Sequence, residues 1–259
     1  MNYQFYNVRE EGGVGVVELN RPPVNAFTLD MVKELGKVIE DISFNESIRA
    51  VVITGNKKFF STGADIELMN KGGWVYLKEL VKAGQRVFEK IETLPYIVVA
   101  AIDGYCLGGG FELALACDRR VMSEEGASVG LPEVKLGLIP AWGSSYRLPR
   151  LLGKPKALDL MITGAVLNGK EAKELGVVDE TCPKGEVVSN AMEYASALAS
   201  GATVAIGKIK KCIHDGAELS FGRAMRLELS SQEVVFGTDD FKEGTQSFME
   251  KRTPKFRGS

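Results

Sequence analysis

The sequence predicts an α/β fold. Over the first two-thirds of the chain, short runs rich in β-branched residues alternate with longer segments of helical periodicity, which is typical of strands joined by helical crossovers. From about residue 186 onward no strand pattern appears, and glycines separate a series of helical segments. We therefore predict an α/β core over residues 1–195 and a helical C-terminal region over residues 196–259.

The core pattern consists of buried strands bounded by Gly, Pro, Asn or Asp, with amphipathic helices between them. The predicted strands are Val14–Leu19, Ala50–Thr54, Ile97–Ile102 and Arg119–Met122. The predicted helices of this part are Thr28–Ile42 and Trp74–Ile91. In the C-terminal region, apolar residues four positions apart give one helical stripe at Phe221, Met225 and Leu229.

Composition excludes several classes of function. The 259 residues include 32 basic and 34 acidic side chains, for a net charge of −2, which argues against a general binder of nucleic acids or membrane surfaces. The four cysteines lack the paired spacing of metal or redox motifs, and there is one histidine, so we expect no metal site. Without a signal-peptide core or a membrane-length apolar run, we expect a cytoplasmic protein.

The segment from Asp103 to Asp118 is the most informative part of the chain. Gly108, Gly109 and Gly110 follow a strand and begin a helix, where another group can approach a backbone that carries no Cβ. Amides of a first helical turn have no partner within the helix and favour an anionic oxygen. Glu112 lies on the same helix face as Gly109. The alternative interpretation is a glycine-rich turn for close packing, with Glu112 as a favourable first-turn anion.

Two further segments fit the first. The segment from Asn56 to Leu68 again passes from strand through small residues to a helix start, so it can present a free amide at Ala64. Two backbone amides from separate segments can form an oxyanion hole. Glu133 follows a proline among apolar residues, which suits a carboxyl group of raised pKa and general acid catalysis. Taken singly, each segment could instead be an ordinary loop.

Together these segments resemble the crotonase, or enoyl-CoA hydratase/isomerase, superfamily. The resemblance covers essentially the whole chain and follows the family's motif order. The motifs are Leu19-Asn-Arg-Pro-Pro-Val-Asn-Ala26, Ser61-Thr-Gly-Ala-Asp-Ile66, Leu107-Gly-Gly-Gly-Phe-Glu-Leu113, Leu131-Pro-Glu-Val134 and Phe248-Met-Glu-Lys-Arg-Thr-Pro-Lys-Phe256.

The resemblance implies a β-β-α spiral core with a C-terminal helical region for trimerisation. It implies that the amides of Ala64 and Gly109 polarise the carbonyl of an acyl-coenzyme A thioester. Glu112 and Glu133 would act on one water molecule. The implied contacts with coenzyme A involve Val24, Ala26, Ala64, Asp65 and Ile66.

The resemblance further implies an enoyl-CoA hydratase that forms a homotrimer or a dimer of trimers. Coenzyme A would be part of the substrate, and no separate cofactor, membrane or nucleic-acid partner is expected. Two carboxylates favour hydration, whereas an isomerase of this family can act with one. Isomerisation, and decarboxylation or hydrolysis of another acyl-CoA, are the alternative reactions.

Some residues depart from the usual hydratase pattern. Typical hydratases read P-G-x-G-G-T-Q-R where this chain reads Pro140-Ala-Trp-Gly-Ser-Ser-Tyr-Arg147. Ala141 keeps the amide that would hold the water but adds a methyl group. With Trp142, it is expected to contact the substrate. Phe111, at a position where small residues are common, either shapes the acyl pocket or packs in the core.

A different class of function is also open. Lys78, Lys82, Arg86 and Lys90 form a basic ridge on a predicted helix, and one branch of the superfamily binds RNA through a basic helix. Interspersed glutamates make a solvated helix face the simpler interpretation. RNA binding therefore stands as the remote alternative to acyl-CoA chemistry.

Overall fold

The computed structural model describes residues 2–259. Within that range the chain forms two sheets, ten α-helices and one short 3-10 helix, Pro132–Leu136. The strands are β1 (Tyr6–Glu11), β2 (Val14–Leu19), β3 (Ala50–Thr54), β4 (Phe59–Ser61), β5 (Ile97–Ile102), β6 (Tyr105–Leu107), β7 (Arg119–Ser123), β8 (Ser128–Gly130), β9 (Val166–Asn168) and β10 (Glu180–Cys182). The helices are α1 (Leu29–Ser43), α2 (Ile66–Thr93), α3 (Gly109–Ala116), α4 (Ser144–Leu152), α5 (Lys154–Thr163), α6 (Gly169–Leu175), α7 (Val187–Ala199), α8 (Thr203–Gly216), α9 (Phe221–Phe236) and α10 (Asp239–Glu250).

The core is a spiral in which a long strand, a short strand and a helix follow one another. The first turn is β3, β4 and α2, and the second is β5, β6 and α3. The third turn is β7 and β8, followed by the 3-10 helix. The predicted β-β-α spiral is therefore confirmed.

Each type of strand builds its own sheet. The long strands form a six-stranded sheet in the order β1-β2-β3-β5-β7-β10, in which only β1 and β2 pair antiparallel. The short strands form a four-stranded sheet in the order β4-β6-β8-β9, with β4, β6 and β8 parallel. The segments that follow β4, β6 and β8 consequently emerge at one edge, because carboxyl ends of parallel strands share an edge.

The inner strands of the large sheet, β2, β3, β5 and β7, are buried on both faces, as crossover topology requires. Successive residues of β3 alternate between two cores: Val51 and Ile53 pack with α1 and α2, and Ala50 and Val52 pack against α7. Helix α7 presents small side chains to the sheet, at Ala191, Ala195 and Ala199, which allow a close approach. These faces hold the spiral together and fix the positions of its loops.

The four predicted strands and both predicted helices are present, and no strand follows residue 186 in the described chain. The short strands β4, β6, β8, β9 and β10 were missed, since three residues are too few to show a period. Strand β1 was missed as well, because it is largely polar and exposed. Helix α2 begins at Ile66 rather than at Trp74 and is kinked at Gly73. The predicted domain boundary at residue 195 falls inside α7 and stays a prediction. Among residues 2–259, none of the helices is long and apolar enough to cross a membrane.

Candidate active site

Three of the predicted site residues occupy corresponding places in the three turns of the spiral. Ala64 follows β4, Gly109 follows β6, and Glu133 follows β8. Because these strands are neighbours in the small sheet, the three residues lie at one edge and face one cavity. Each of the three residues belongs to a different turn of the spiral, and each follows the short strand of its turn.

The amides of Ala64 and Gly109 are free to bind an oxygen atom. Around Ala64, the backbone of Phe27 pairs with the neighbouring residues instead: its N–H donates to Gly63 O at 2.8 Å, and its carbonyl accepts from Asp65 N at 2.9 Å. Gly109 begins α3, so its N–H has no partner in the helix. Within residues 2–259, neither amide donates to a protein acceptor.

The glycines allow the segments around these amides to touch. A Cβ on Gly63, where φ is +89°, would lie 3.0 Å from Gly109 N, so the two loops are in direct contact. A Cβ on Gly110 would lie 2.5 Å from Ser61 O, and one on Gly109 would overlap the indole of Trp142. The glycine run thus serves close packing as well as exposing an amide, which unites the two interpretations made from the sequence.

Glu112 is buried one turn into α3, and its carboxylate is held by backbone amides. Its Oε1 accepts from Trp142 N at 2.8 Å and from Ser144 N at 3.1 Å. Burial raises the pKa of Glu112, while these two amides, the Ser144 hydroxyl and the charge of Arg147 oppose that rise. The hydrogen bonds leave Oε2 for other contacts.

Glu133 has a different environment. It is the second residue of the 3-10 helix, directly after Pro132, and its Oε2 is buried without a hydrogen-bond partner in the described chain. A Cβ on Gly108 would lie 2.9 Å from its Oε1, so the carboxyl group reaches the glycine turn. Burial raises the pKa of Glu133 to about 7, and the nearby charge of Glu112 adds to the rise. The two carboxyl groups therefore interact electrostatically.

A cavity of about 410 Å³ joins these groups. Its polar end carries Ala64, Gly109, Glu112 and Glu133. Its walls are mostly apolar and come from α2 and from the loop after the 3-10 helix. Wall residues include Ile66, Met69, Trp74, Leu77, Leu80, Val81, Leu136, Leu138, Ile139, Ala141 and Trp142. Such a lining suits a small apolar ligand whose one polar group is bound at a fixed point.

Other predicted contact residues lie outside this lining. Asp65 caps α2 through Leu68 N and pairs with Arg21 at 2.9 Å. Val24 and Ala26 use their carbonyls in local hydrogen bonds, to Thr62 and Arg21. Their proposed contacts with coenzyme A stay predictions.

Phe111 is 1% exposed, belongs to the main core and does not line the cavity. The packing interpretation fits this position, because the side chain leaves α3 on the face turned away from the cavity.

Sequence reasoning missed the contribution of α2. The sequence predicted only an amphipathic helix here, yet Trp74 and Leu77 line the cavity, and so do Lys78 and Lys82 of the basic ridge. The adjacent Gly72-Gly73 pair, where α2 kinks, was the available signal. Arg147 was missed as well. It pairs with Glu92 and donates to the carbonyl of Trp142 at 2.7 Å, so it supports the loop that holds Glu112.

A β-β-α spiral with two free amides on one cavity is the arrangement that the resemblance to the crotonase class of proteins implies. The model of the enoyl-CoA hydratase/isomerase family matches residues 9–259 of this chain. Bacillus subtilis YngF is 38% identical over 256 residues, which cover 98% of each chain. Crotonyl-CoA hydratase of Syntrophomonas wolfei is 34% identical over 258 residues, 99% of each chain.

A crystal structure of enoyl-CoA hydratase from Bacillus anthracis superposes with a TM-score of 0.94 at 36% identity. The superposition covers 99% of this chain and 100% of that chain. The chain therefore belongs to the enoyl-CoA hydratase/isomerase family. The predicted family and fold class are confirmed, as is the prediction of an enzyme of this family.

Proposed function

We propose that the protein adds water reversibly to the double bond of a 2-enoyl-CoA thioester. The observation that carries this proposal is the pair of carboxyl groups, buried Glu112 and half-buried Glu133, on the cavity that also holds two free amides. Hydration needs one group to take a proton from water and another to supply one to carbon. The different environments of the two carboxyl groups suit these two tasks.

The free amides would bind the thioester oxygen. In the proposed mechanism, the N–H groups of Ala64 and Gly109 donate to the carbonyl oxygen and draw electrons from the conjugated double bond. As water attacks the β-carbon, negative charge grows on that oxygen, so both hydrogen bonds strengthen towards the transition state. Loss of one donor of this kind typically costs about 3–4 kcal/mol of barrier.

We assign the base role to Glu112 and the acid role to Glu133. Two backbone amides favour the ionised form of Glu112, whose Oε2 would accept a proton from water as the water oxygen bonds to the β-carbon. The electron pair of the double bond moves into the enolate and then takes a proton at the α-carbon. Glu133, whose pKa of about 7 keeps it partly protonated near neutrality, supplies that proton.

Ala141 would help to hold the attacking water. Its side chain lines the cavity, and its N–H donates to no acceptor in the described chain. Its carbonyl accepts from Gln85 of α2 at 2.8 Å, which fixes the orientation of this peptide. The added methyl group of alanine, compared with the usual glycine, would narrow the space around the water.

We further propose that coenzyme A is held as part of the substrate near Ile66, with Val24, Ala26 and Asp65 nearby, and that no separate cofactor takes part. The proposed assembly is a homotrimer or a dimer of trimers. The proposed location is the cytoplasm. The four cysteines support it, because all are free and three of them are buried.

Hydration is tested with crotonyl-CoA, whose conjugated thioester absorbance disappears as water adds. Wild type should consume it, and Glu112→Gln and Glu133→Gln should each lower kcat by at least about a hundredfold without weakening coenzyme A binding. Glu125→Gln, at an exposed glutamate, is the matched control.

Inactivity of the wild type on enoyl-CoAs of several chain lengths would exclude hydration. Loss of activity in only one of the two variants would favour the isomerase alternative, because an isomerase of this family can act with one carboxylate.

A further inference from the structure

The side chain of Trp142 packs between helices α2 and α3 and contacts the backbone of both. The side chain is 4% exposed. A Cβ added to Gly84 of α2 or to Gly109 of α3 would overlap its indole ring, so the ring lies directly on both backbones. Its faces and edges also meet Phe27 and Phe88 edge-on, with ring centroids 5.6 Å and 5.3 Å away.

The ring separates the cavity from the core behind it. Its six-membered ring approaches Gly109, whose amide would bind the thioester oxygen, and its pyrrole end approaches Gly84. Leu80 and Val81, one turn before Gly84 on α2, also line the cavity. The indole therefore spans the gap between α2 and the reacting carbonyl, and it fills the space that leads from there towards Phe27.

The side chain and the backbone of Trp142 have separable roles. The backbone N–H holds Oε1 of Glu112, and the backbone carbonyl accepts from Arg147. Both contacts use backbone atoms, so neither requires an indole. The indole itself makes no hydrogen bond to Glu112 and contributes to the wall of the cavity.

We infer that Trp142 closes the acyl end of the cavity and restricts the enzyme to short-chain 2-enoyl-CoA substrates. The inference rests on the proposed hydration and deepens it by naming the substrate class. At about 410 Å³, the cavity is near the lower end of the usual range of ligand sites, roughly 300–1,000 Å³. A short acyl group ends before the indole, whereas a longer one would have to displace a side chain packed on two glycines and two phenylalanines.

The test compares hydration of trans-2-enoyl-CoAs with short and long acyl chains, about four and ten carbons, by wild type, Trp142→Leu and Trp142→Phe. The measured quantity is the ratio of kcat/KM for the long substrate to that for the short one. Because both values come from one preparation, the ratio is independent of the fraction of enzyme that is folded. Wild type should favour the short substrate by at least about tenfold, and Trp142→Leu should raise the ratio about tenfold or more.

Phe111→Leu is the matched control, because Phe111 is equally buried and lies on α3 but does not line the cavity. Its ratio should equal that of wild type. Trp142→Phe keeps an aromatic ring of smaller size and should give an intermediate ratio.

Three results would overturn the inference: equal use of both substrates by wild type, an unchanged ratio in both Trp142 variants, or a shift caused by Phe111→Leu instead. The substrate preference of wild type tests the inference even where a variant fails to fold. Failure of the proposed function looks different, since wild type would then hydrate neither substrate.

Discussion

At the scale of single residues, the site depends on two glutamates that the fold treats differently. Glu112 is buried in a helix and accepts two backbone hydrogen bonds. Glu133 is half-buried, and its Oε2 has no partner in the described chain. Burial raises the pKa of both groups. Two amides of the loop that follows Ala141 oppose the rise at Glu112, whereas at Glu133 only its own backbone amide does so and the charge of Glu112 adds to the rise. This asymmetry is the physical basis for assigning one glutamate as base and the other as acid.

The raised pKa of Glu133 should make stability depend on pH. Its folded pKa of about 7 lies above the value of about 4.3 for an unfolded chain, so the folded state binds the proton more tightly. The resulting stabilisation is complete below about pH 4.3 and is lost as pH rises through about 7. Relative to Glu133→Gln, the unfolding free energy of wild type should fall by about 2 kcal/mol between about pH 5 and about pH 8, after allowance for partial exposure.

Denaturant unfolding of wild type and Glu133→Gln at several pH values measures this difference. Glu125→Gln, which alters an exposed carboxyl group, should follow wild type throughout. A constant difference between wild type and Glu133→Gln over this range would show that Glu133 titrates as it does in the unfolded chain.

Ser144 lies beside the carboxylate of Glu112 and influences its ionisation. Its hydroxyl is fully buried beside Glu112 without a hydrogen bond of standard geometry, and it favours the ionised form of that carboxylate. Ser144→Ala should therefore raise the pKa of Glu112 and leave less of the base ionised at acidic pH. We expect kcat/KM for crotonyl-CoA at about pH 5.5 to fall about threefold, with little change at about pH 8.

The pH profile of kcat/KM provides the measurement, and Ser145→Ala is the control because Ser145 is the exposed neighbour. An equal loss at all pH values would point to a packing role for Ser144 rather than an electrostatic one.

At the scale of elements, the repeat of the spiral explains how far the site could be anticipated. The glycine segment, the small residues before α2 and the proline before Glu133 each carry a local signal of a strand followed by a turn. The equivalence of Ala64, Gly109 and Glu133 in successive turns then places them together. Each local pattern alone also fits an ordinary loop, and it was the order of the three segments, with its resemblance to the family, that predicted these residues before the structure.

The remaining features depend on contacts between distant segments. The indole of Trp142 rests on Gly84, and Arg147 pairs with Glu92, although each pair is more than fifty residues apart in the chain. The periodicity of the sequence does not reveal such contacts, because a tryptophan, glycine, arginine or glutamate can each pack in many different structural environments. The kink of α2 was missed for a related reason. A glycine pair at a helix start resembles a loop, and only packing on both sides makes it part of one bent helix.

The kink of α2 depends on the backbone conformation of Gly73. Gly73 has φ of +59° and ψ of −158°, a conformation that nearly excludes other residues, and no atom lies within 4 Å of an added Cβ. Gly73→Ala should lower the unfolding free energy by about 1–2 kcal/mol through backbone strain. Since Trp74 and Leu77 follow the kink and line the cavity, KM for crotonyl-CoA should also rise, by about fivefold.

Gly12 offers a matched control, because it has the same φ of +59° and equally open surroundings but lies in the turn between β1 and β2. Gly12→Ala should also lower the unfolding free energy, because its φ is left-handed, but it should leave KM unchanged. The two variants are compared by thermal unfolding and by steady-state kinetics. If Gly73→Ala and Gly12→Ala had the same KM for crotonyl-CoA, the kink would not contribute to substrate binding.

At the scale of the whole molecule, the C-terminal helices expose apolar side chains that the core does not use. On α9, Phe221 is 80% exposed and Leu229 is 63% exposed, and they share one face with Met225. On α10, Phe248 and Met249 are 85% and 75% exposed. The apolar stripe predicted on α9 is thus real, but it faces away from the spiral core. Clustered exposed apolar residues of this kind are typical of surfaces that bind another protein.

We expect this surface to hold the proposed trimer together. Phe221→Asp combined with Leu229→Asp would place two charges where apolar side chains should be buried between subunits. Each lost burial costs about 2 kcal/mol, and desolvation of the carboxylates adds to the loss. Sedimentation velocity should show wild type as a trimer or hexamer of the 28.1 kDa chain and the double variant mainly as the monomer.

Phe44→Asp is the control for this experiment. Phe44 follows α1 and is 79% exposed, and this variant should sediment like wild type. A monomeric wild type at micromolar concentration would contradict the trimer, and a double variant that still sediments as wild type would place its interface elsewhere.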